Sequence, residues 1–261
     1  MASLWRYRAA VGLSLVAAGA VVAYVLIAHV IDWPDWAKPV ARFILTEGLP
    51  NTLMVSAIAV VGSVVVGITL GTLLTIDFSP TRAAIRAYIE VFRGLPILVT
   101  VLIVYLGLPA LTQTLKFSPL MGVAMALIFW GSAQVAEATR GAVQSIPREQ
   151  HEAASALGFG WVGTHSFVIL PQALRRLLPP LVGLLVNVIQ NSTLAAAVGG
   201  TAEELELLQA SRSQVERLTF FPPAGLGEVH AVEIYGGVMI LFFLISFPLT
   251  RLAAYLEKRL A

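Results

Sequence analysis

Residues 148–171 read REQHEAASALGFGWVGTHSFVILP, a polar, small-residue stretch set between long hydrophobic ones. It is too amphipathic to cross a bilayer and too regularly punctuated to be a slack connector. Pro147 opens it, Gly158 interrupts it and Pro171 closes it. Proline suits a first helical turn and glycine the position just past a last one, so the spacing predicts two short helices. Ser145 is placed to cap the amides of the first. Ala153, Ala154 and Leu157 share one face at helical spacing, with Arg148, Glu149 and Glu152 largely elsewhere. Adjacent alanines permit close approach of another helix, and Phe159 and Trp161 offer bulk to fill a pocket. Residue types alone fit two roles equally: a surface that pushes on a partner outside the membrane, and a helix lying on lipid.

The rest of the chain sets the context. Of 261 residues, 57% are hydrophobic and only 12% charged, with a mean hydropathy of +0.82. Soluble domains carry roughly twice that share of charge, so lipid rather than water must cover most of the surface. A net charge of +2 without basic clusters among aromatics excludes a nucleic-acid role. Cysteine is absent, which removes disulfides and thiolate metal sites.

Six hydrophobic stretches are long enough to span about 30 Å of hydrocarbon, near 10–31, 50–76, 85–109, 117–139, 177–199 and 231–254. The first follows Arg6 and Arg8 and ends at Asp32-Trp33-Pro34-Asp35-Trp36, an interfacial aromatic anchor. Its apolar run is too long for a signal-peptide core, so a retained helix is expected. With the N-terminus inside, twelve Lys and Arg fall in cytoplasmic segments and five outside (Lys38, Arg42, Lys116, Arg212 and Arg217). The positive-inside rule then places both termini and the 140–176 loop in the cytoplasm. The 201–230 segment, with Glu203, Glu204 and Glu206, lies outside and is long enough to form a structured cap or docking surface.

The spacing Glu152-Ala153-Ala154, three residues, Gly158, nine residues, Val168-Ile169-Leu170-Pro171 resembles the EAA loop of ABC-importer permeases, with Val168 where isoleucine is usual. Four further segments are similar to the polar amino-acid branch, the histidine, glutamine and glutamate permeases: Asn51-Thr52-Leu53, Glu90 to Pro96, Glu137 to Ser145, and Gln190 to Leu194. Gln134, where an aromatic is common, and Gln190, where lysine is common, depart from that branch and bear on the cargo. The resemblance implies an all-α integral membrane protein of six transmembrane helices. A five-helix type I importer core at 48–261, with its coupling loop at 145–171, would follow an extra N-terminal helix and external linker at 1–47. It implies that Glu152, Ala153, Ala154, Ser155, Leu157 and Gly158 contact a cytoplasmic ATP-binding subunit, with Gly158 as the bend. The implied partners are a second permease subunit, two ATP-binding subunits, an external substrate-binding protein, an amino-acid substrate and the lipid of a bacterial plasma membrane. No cofactor is expected on this chain, ATP and Mg being held by the partner ATPase.

Polar groups inside the spans need a reason, because a charge at the bilayer centre costs about 2.5–3.5 kcal/mol on insertion scales. Glu90 and Arg93, and Glu137 and Arg140, stand three apart and can meet on one helix face. Such pairs either neutralise themselves near the interface or line the path of a zwitterion. Gln134, Asn191, Ser192 and Thr193 suit either a pathway or interhelical hydrogen bonding. Gly67 and Gly71 form a small-xxx-small packing pair, and Pro96 should kink the third span and free the Phe92 carbonyl.

Several motifs lead elsewhere and are set aside. Gly158 to Gly163 satisfies G-x-G-x-x-G, yet a helical pattern precedes it and no acidic residue follows at the required distance. The histidines His29, His151, His165 and His230 lack metal-ligand spacing. A secondary, ion-coupled amino-acid transporter is the nearest alternative. It would need inverted repeats or mid-membrane carboxylates, and the acidic residues sit near span ends. A membrane-embedded enzyme lacks a catalytic constellation.

Overall fold

The computed structural model describes residues 34–75, 79–112, 117–199, 204–223 and 230–260. Among these every regular element is helical. The chain divides into two units, 1–42 and 43–261. The expected first span at 10–31 lies outside the described residues, as do Lys116 and Glu203.

Helix α1 is Ala37–Phe43. A π turn, Ile44–Gly48, leads into α2, Leu49–Leu73. Helix α3, Ser79–Gly94, is followed by α4, Ile97–Leu102, a second π turn at Ile103–Gly107 and α5, Leu108–Thr112. Helix α6 is Pro119–Gln144 and α7 is Arg148–Ala156. Next come α8, Trp161–Gly163, a π segment at Thr164–Ile169, α9, Leu170–Asn191, a 3-10 turn at Ser192–Leu194 and α10, Ala195–Val198. Helices α11, Leu207–Phe220, and α12, Ala231–Leu260, complete the chain.

Four helical stretches have the length and hydropathy of membrane spans: Ala37–Leu73, Pro119–Gln144, Trp161–Val198 and Ala231–Arg259. The expected third span is not one straight or gently kinked helix. It breaks at Leu95-Pro96, and the two halves, Ser79–Gly94 and Ile97–Thr112, meet at 111°. Proline there lacks the N–H that would continue the ladder, so a 16-residue helix ends and a new one begins. Counting that pair as one span gives five among the described residues.

The core forms around α6. Its apolar window is 61% buried, against 17–28% for the other three. Helix α2 packs along it through glycine. A Cβ on Gly67 would meet the Val135 side chain and the Ser132 carbonyl, and one on Gly71 would sit 2.5 Å from the Ala136 carbonyl. The Gly67/Gly71 pair is therefore a close-packing seam, as its spacing predicts. Helix α3 is tied to α6 by the Tyr88 hydroxyl, 2.6 Å from Ser132 Oγ, and by stacking of Phe92 on Phe129. Outward faces are apolar: Val61, Val65, Met239, Ile240 and Phe243 are all more than half exposed. That is the inverse of a soluble bundle and suits a surface wetted by lipid or by partner subunits.

Candidate functional site

At one end of the bundle the first half of the 145–171 stretch follows its own punctuation. Helix α7 begins after Pro147 and ends at Leu157, and Gly158 takes φ +85°, where a Cβ is disfavoured. The Gly158 bend is thus real. Two expectations are corrected. Ser145 does not cap α7: its hydroxyl donates to Ala142 O and accepts from Arg176 Nη1, while the α7 N-terminus carries no side-chain cap. Nor is there a second short helix closed by Pro171. The backbone runs from Trp161 through the π segment into α9, and the span expected to start near 177 is helical from 161. Pro171 sits in the first turn of α9, where its missing N–H costs little.

The loop has an inward and an outward side. Ala154 is buried, whereas Glu152, Ala153, Ser155, Leu157 and Gly158 are exposed, Leu157 at 79%. Of the six residues expected to form a contact, Ala154 therefore holds the loop to its own chain and five face outward. Glu152 pairs with Arg148 at 3.0 Å, both solvent-facing. Beyond the bend, Phe159, Trp161, Val162 and Phe167 add exposed apolar area. Hydrogen bonds from three side chains fasten this surface to the bundle: Gln172 Nε2 to Gln150 Oε1 at 3.3 Å, Arg176 Nη1 to both Ser145 O at 2.6 Å and Ser145 Oγ at 2.7 Å, and His165 Nε2 with Thr75 Oγ1 at 3.0 Å.

Midway along α6 and α9 lies a cavity of about 390 Å³, lined by Trp130, Gln134, Val135, Ala138, Pro180, Leu181, Gly183, Leu184 and Asn187. Gln134 is the one expected pathway residue found in its wall. Asn191, Ser192 and Thr193 are not: each donates to its own helix, at Asn187 O, Ile189 O and Gln190 O respectively, all at 2.8 Å. They shape the 3-10 turn that ends α9. Asn187, which the sequence reading passed over, is the polar wall opposite Gln134. One turn before Asn191 on the same face, it was detectable at i, i+4 spacing.

The two charged pairs behave differently. Arg140 grips Glu137 through Nε at 3.1 Å and Nη2 at 2.5 Å, and its Nη1 reaches Gln144 at 2.6 Å. Glu90 and Arg93 are both exposed and form no ion pair with each other among the described residues, although they stand three apart. Neither pair lines the cavity.

At the opposite end, α11 gives the 204–223 stretch, expected from charge to lie outside, a folded core. Glu206 is fully buried as the cap of α11, accepting from Leu208 N at 2.9 Å and Gln209 N at 2.7 Å. Gln209 returns a bond to the Glu206 amide and donates through Nε2 to Ala195 O. This Glu-x-x-Gln capping box is legible in the sequence, although Glu206 was read only as an external charge. Burial raises the Glu206 pKa to about 7 against the pull of the two amides. The first turn of α2 docks the segment: Asn51 Nδ2 donates to Leu205 O, and Leu207 N donates to Thr52 Oγ1. Gly48 leaves room for it, since a Cβ there would lie 2.9 Å from Ala210 Cβ.

A helical membrane bundle with a bent, outward-facing amphipathic loop at one end, and between its central helices a mostly apolar cavity carrying the amides of Gln134 and Asn187, is the architecture expected of a transport subunit worked by a partner. The chain belongs to the family described as the binding-protein-dependent transport system inner membrane component, which matches residues 63–261. It is similar to the probable glutamine ABC transporter permease protein GlnM of Bacillus subtilis, 32% identical over 215 residues, 82% of this chain and 92% of that one. It is also similar to the glutamine transport system permease protein GlnP of Escherichia coli K12, 31% identical over 217 residues, 83% and 93% of the two chains. Among solved structures, an amino acid ABC transporter crystallised with histidines matches at TM-score 0.70 and 25% identity, over 87% of this chain and 99% of that one. The inward-facing MetNI methionine transporter matches at TM-score 0.66 and 17% identity, over 85% and 98%, a likeness of fold. The chain is a membrane-spanning permease subunit of an ABC importer. It is not itself an enzyme: hydrolysis belongs to separate ATP-binding subunits, and a substrate-binding protein serves the complex.

Proposed function

We propose that this permease imports a polar amino acid with an uncharged side chain across a bacterial plasma membrane, both of its termini facing the cytoplasm. The observation that carries the reading is the cavity wall. Gln134 and Asn187 offer neutral amides beside Trp130, with no charged side chain in the lining. Neutral amides match a side-chain amide or hydroxyl by hydrogen bonding, and they provide no counter-charge for a guanidinium or a second carboxylate. The two relatives named for glutamine point the same way.

Two permease subunits, copies or paralogues, pair with two ATP-binding subunits, which hold ATP and Mg. Glu152, Ala153, Ser155, Leu157 and Gly158 form the contact, with Phe159 and Trp161 adding apolar area. Ala154 sets the depth at which α7 sits. ATP binding draws the ATPases together, and α7, anchored to the bundle through Gln150 and the π segment, turns that motion into opening toward the outside. The Glu137–Arg140 pair and Glu90 and Arg93 act at the cytoplasmic side of the path.

The test is uptake by the permease reconstituted with its ATPase and binding protein, with and without ATP. Glutamine and asparagine should compete for uptake, and arginine and glutamate should not. Asn187→Leu and Gln134→Leu should each raise the KM for uptake about tenfold, the worth of one hydrogen bond to a polar substrate, with ATPase association intact. Uptake independent of ATP would sink the importer reading. Unchanged KM in both variants would sink the cavity assignment.

A further inference from the structure

The proton arrangement at His165 has a consequence for how the loop drives the bundle. His165 is buried in the π segment, the kind of helical irregularity that concentrates at functional positions. Its ring stacks on Trp161 with centroids 4.2 Å apart, and Nδ1 lies 2.9 Å from Trp161 O. A carbonyl only accepts, so Nδ1 carries a proton. Nε2 lies 3.0 Å from Thr75 Oγ1, and the same hydroxyl lies 2.6 Å from Thr72 O, within donating distance. A threonine hydroxyl has one hydrogen to give. All three contacts are satisfied together only when Nε2 also carries a proton, that is, when the ring is an imidazolium. With a neutral ring, Thr75 must choose between Thr72 O and Nε2, and one bond is lost.

Thr75 lies just past the last turn of α2, and the first turn of the same helix holds the external segment through Asn51 and Thr52. The 25 residues of α2 thus join the two ends of the bundle. At about 1.5 Å per residue that is a rod close to the thickness of a bilayer. We propose that His165 is a positioning residue, a proton-sensitive clasp that fixes the coupling loop to α2, so that displacement of the loop is passed along α2 to the external segment at 204–220. The inference rests on the loop's contact with the ATP-binding subunit. The groups around the ring are few. His151 on α7 faces it with ring centroids 5.9 Å apart, Trp161 covers one face and Thr75 closes the end. Of the charged residues of α7, Arg148 and Glu152 pair with each other on the solvent side, and Glu149 is exposed.

The test uses the full complex with its ATP-binding subunits and binding protein in nanodiscs, and reads ATPase assembly, basal hydrolysis and hydrolysis stimulated by the loaded binding protein. Thr75→Val and His165→Phe should both keep assembly and basal hydrolysis and lose about three- to tenfold of the stimulation, the range of one or two lost hydrogen bonds. The double variant should lose no more than either single one, because both remove the same bond. His165→Gln, which restores a donor toward Thr75, should recover most of the stimulation. The ratio of wild-type to Thr75→Val stimulation should rise as pH falls, since a protonated ring is the one that donates to Thr75 while Thr75 keeps its own bond. Additive losses in the double variant, full stimulation in Thr75→Val, or a ratio flat between pH 5.5 and about 8 would each overturn the clasp. If His165→Phe does not assemble, the Thr75→Val arm decides alone. The loop's contact itself fails by a different sign, namely ATPase assembly that persists when Leu157 and Gly158 are replaced.

Discussion

Glu206 offers a prediction whose size follows from its surroundings. The carboxyl is fully buried, caps α11 through Leu208 N and Gln209 N, and has its pKa raised by burial from the ordinary 4.5 to about 7. Between those two values the docked segment holds a proton that the undocked segment releases. Protons bound only in the docked state favour it, so the stabilisation is complete below about pH 4.5 and is lost as pH rises to about 7. At about 1.4 kcal/mol for each tenfold change in proton affinity, the span of the effect is about 3 kcal/mol. Glu206→Gln keeps an acceptor for the α11 amides and removes the titration. Hydrogen exchange of the Leu207–Phe220 amides in nanodiscs, corrected for intrinsic rate, reads the opening directly. Wild-type protection should fall between pH 5 and about 7.5, approaching a hundredfold at the full energy, while the Gln variant stays level and is the better protected above pH 7.5. Wild-type protection that rises with pH, or a Gln variant that tracks the wild type, would refute the assignment of this proton to Glu206.

Substitutions at three positions test other parts of the structure. Gly67→Val forces a side chain into Val135 and the Ser132 carbonyl and should cost about 1–3 kcal/mol by overpacking, read as a lowered melting temperature in detergent. Gly158→Ala meets no atom within 4 Å but must adopt φ +85°, so it should cost about 1 kcal/mol of loop conformation and weaken ATPase pull-down about fivefold. Gly158→Asn should lose less than alanine, and equal losses would point to contact rather than backbone as the cause. Thr52→Val strands the buried Leu207 amide and should cost about 1–3 kcal/mol, seen as faster exchange in α11 with the coupling loop unaffected.

The helical membrane class, the outward bend at Gly158 and the Gly67/Gly71 seam were legible in the sequence, because each depends on residue type and local spacing. Pro96 was legible as a disturbance but not as a 111° break, since how far a helix turns at proline depends on what receives the second half. Glu90–Arg93 and Glu137–Arg140 share one spacing, yet only the second pair closes, through a bidentate grip that Gln144 extends. The polar cluster at Asn191, Ser192 and Thr193 read as either pathway lining or interhelical hydrogen bonding, because hydroxyls and amides within a span need partners. Their own helix supplies those partners, and Asn187 takes the wall instead.

What the sequence determined by itself was therefore the medium, the helical periodicity and the short helix after Pro147 with its bend at Gly158. Hydropathy and backbone preference act within a few residues and need no distant partner. Tertiary structure alone decided that Ala154 faces inward while Leu157 faces out, that Glu206 is a buried cap, and that Thr75 meets His165 across 90 residues. Burial and proton placement are set by whichever helices pack nearby, and that packing is a property of the whole chain.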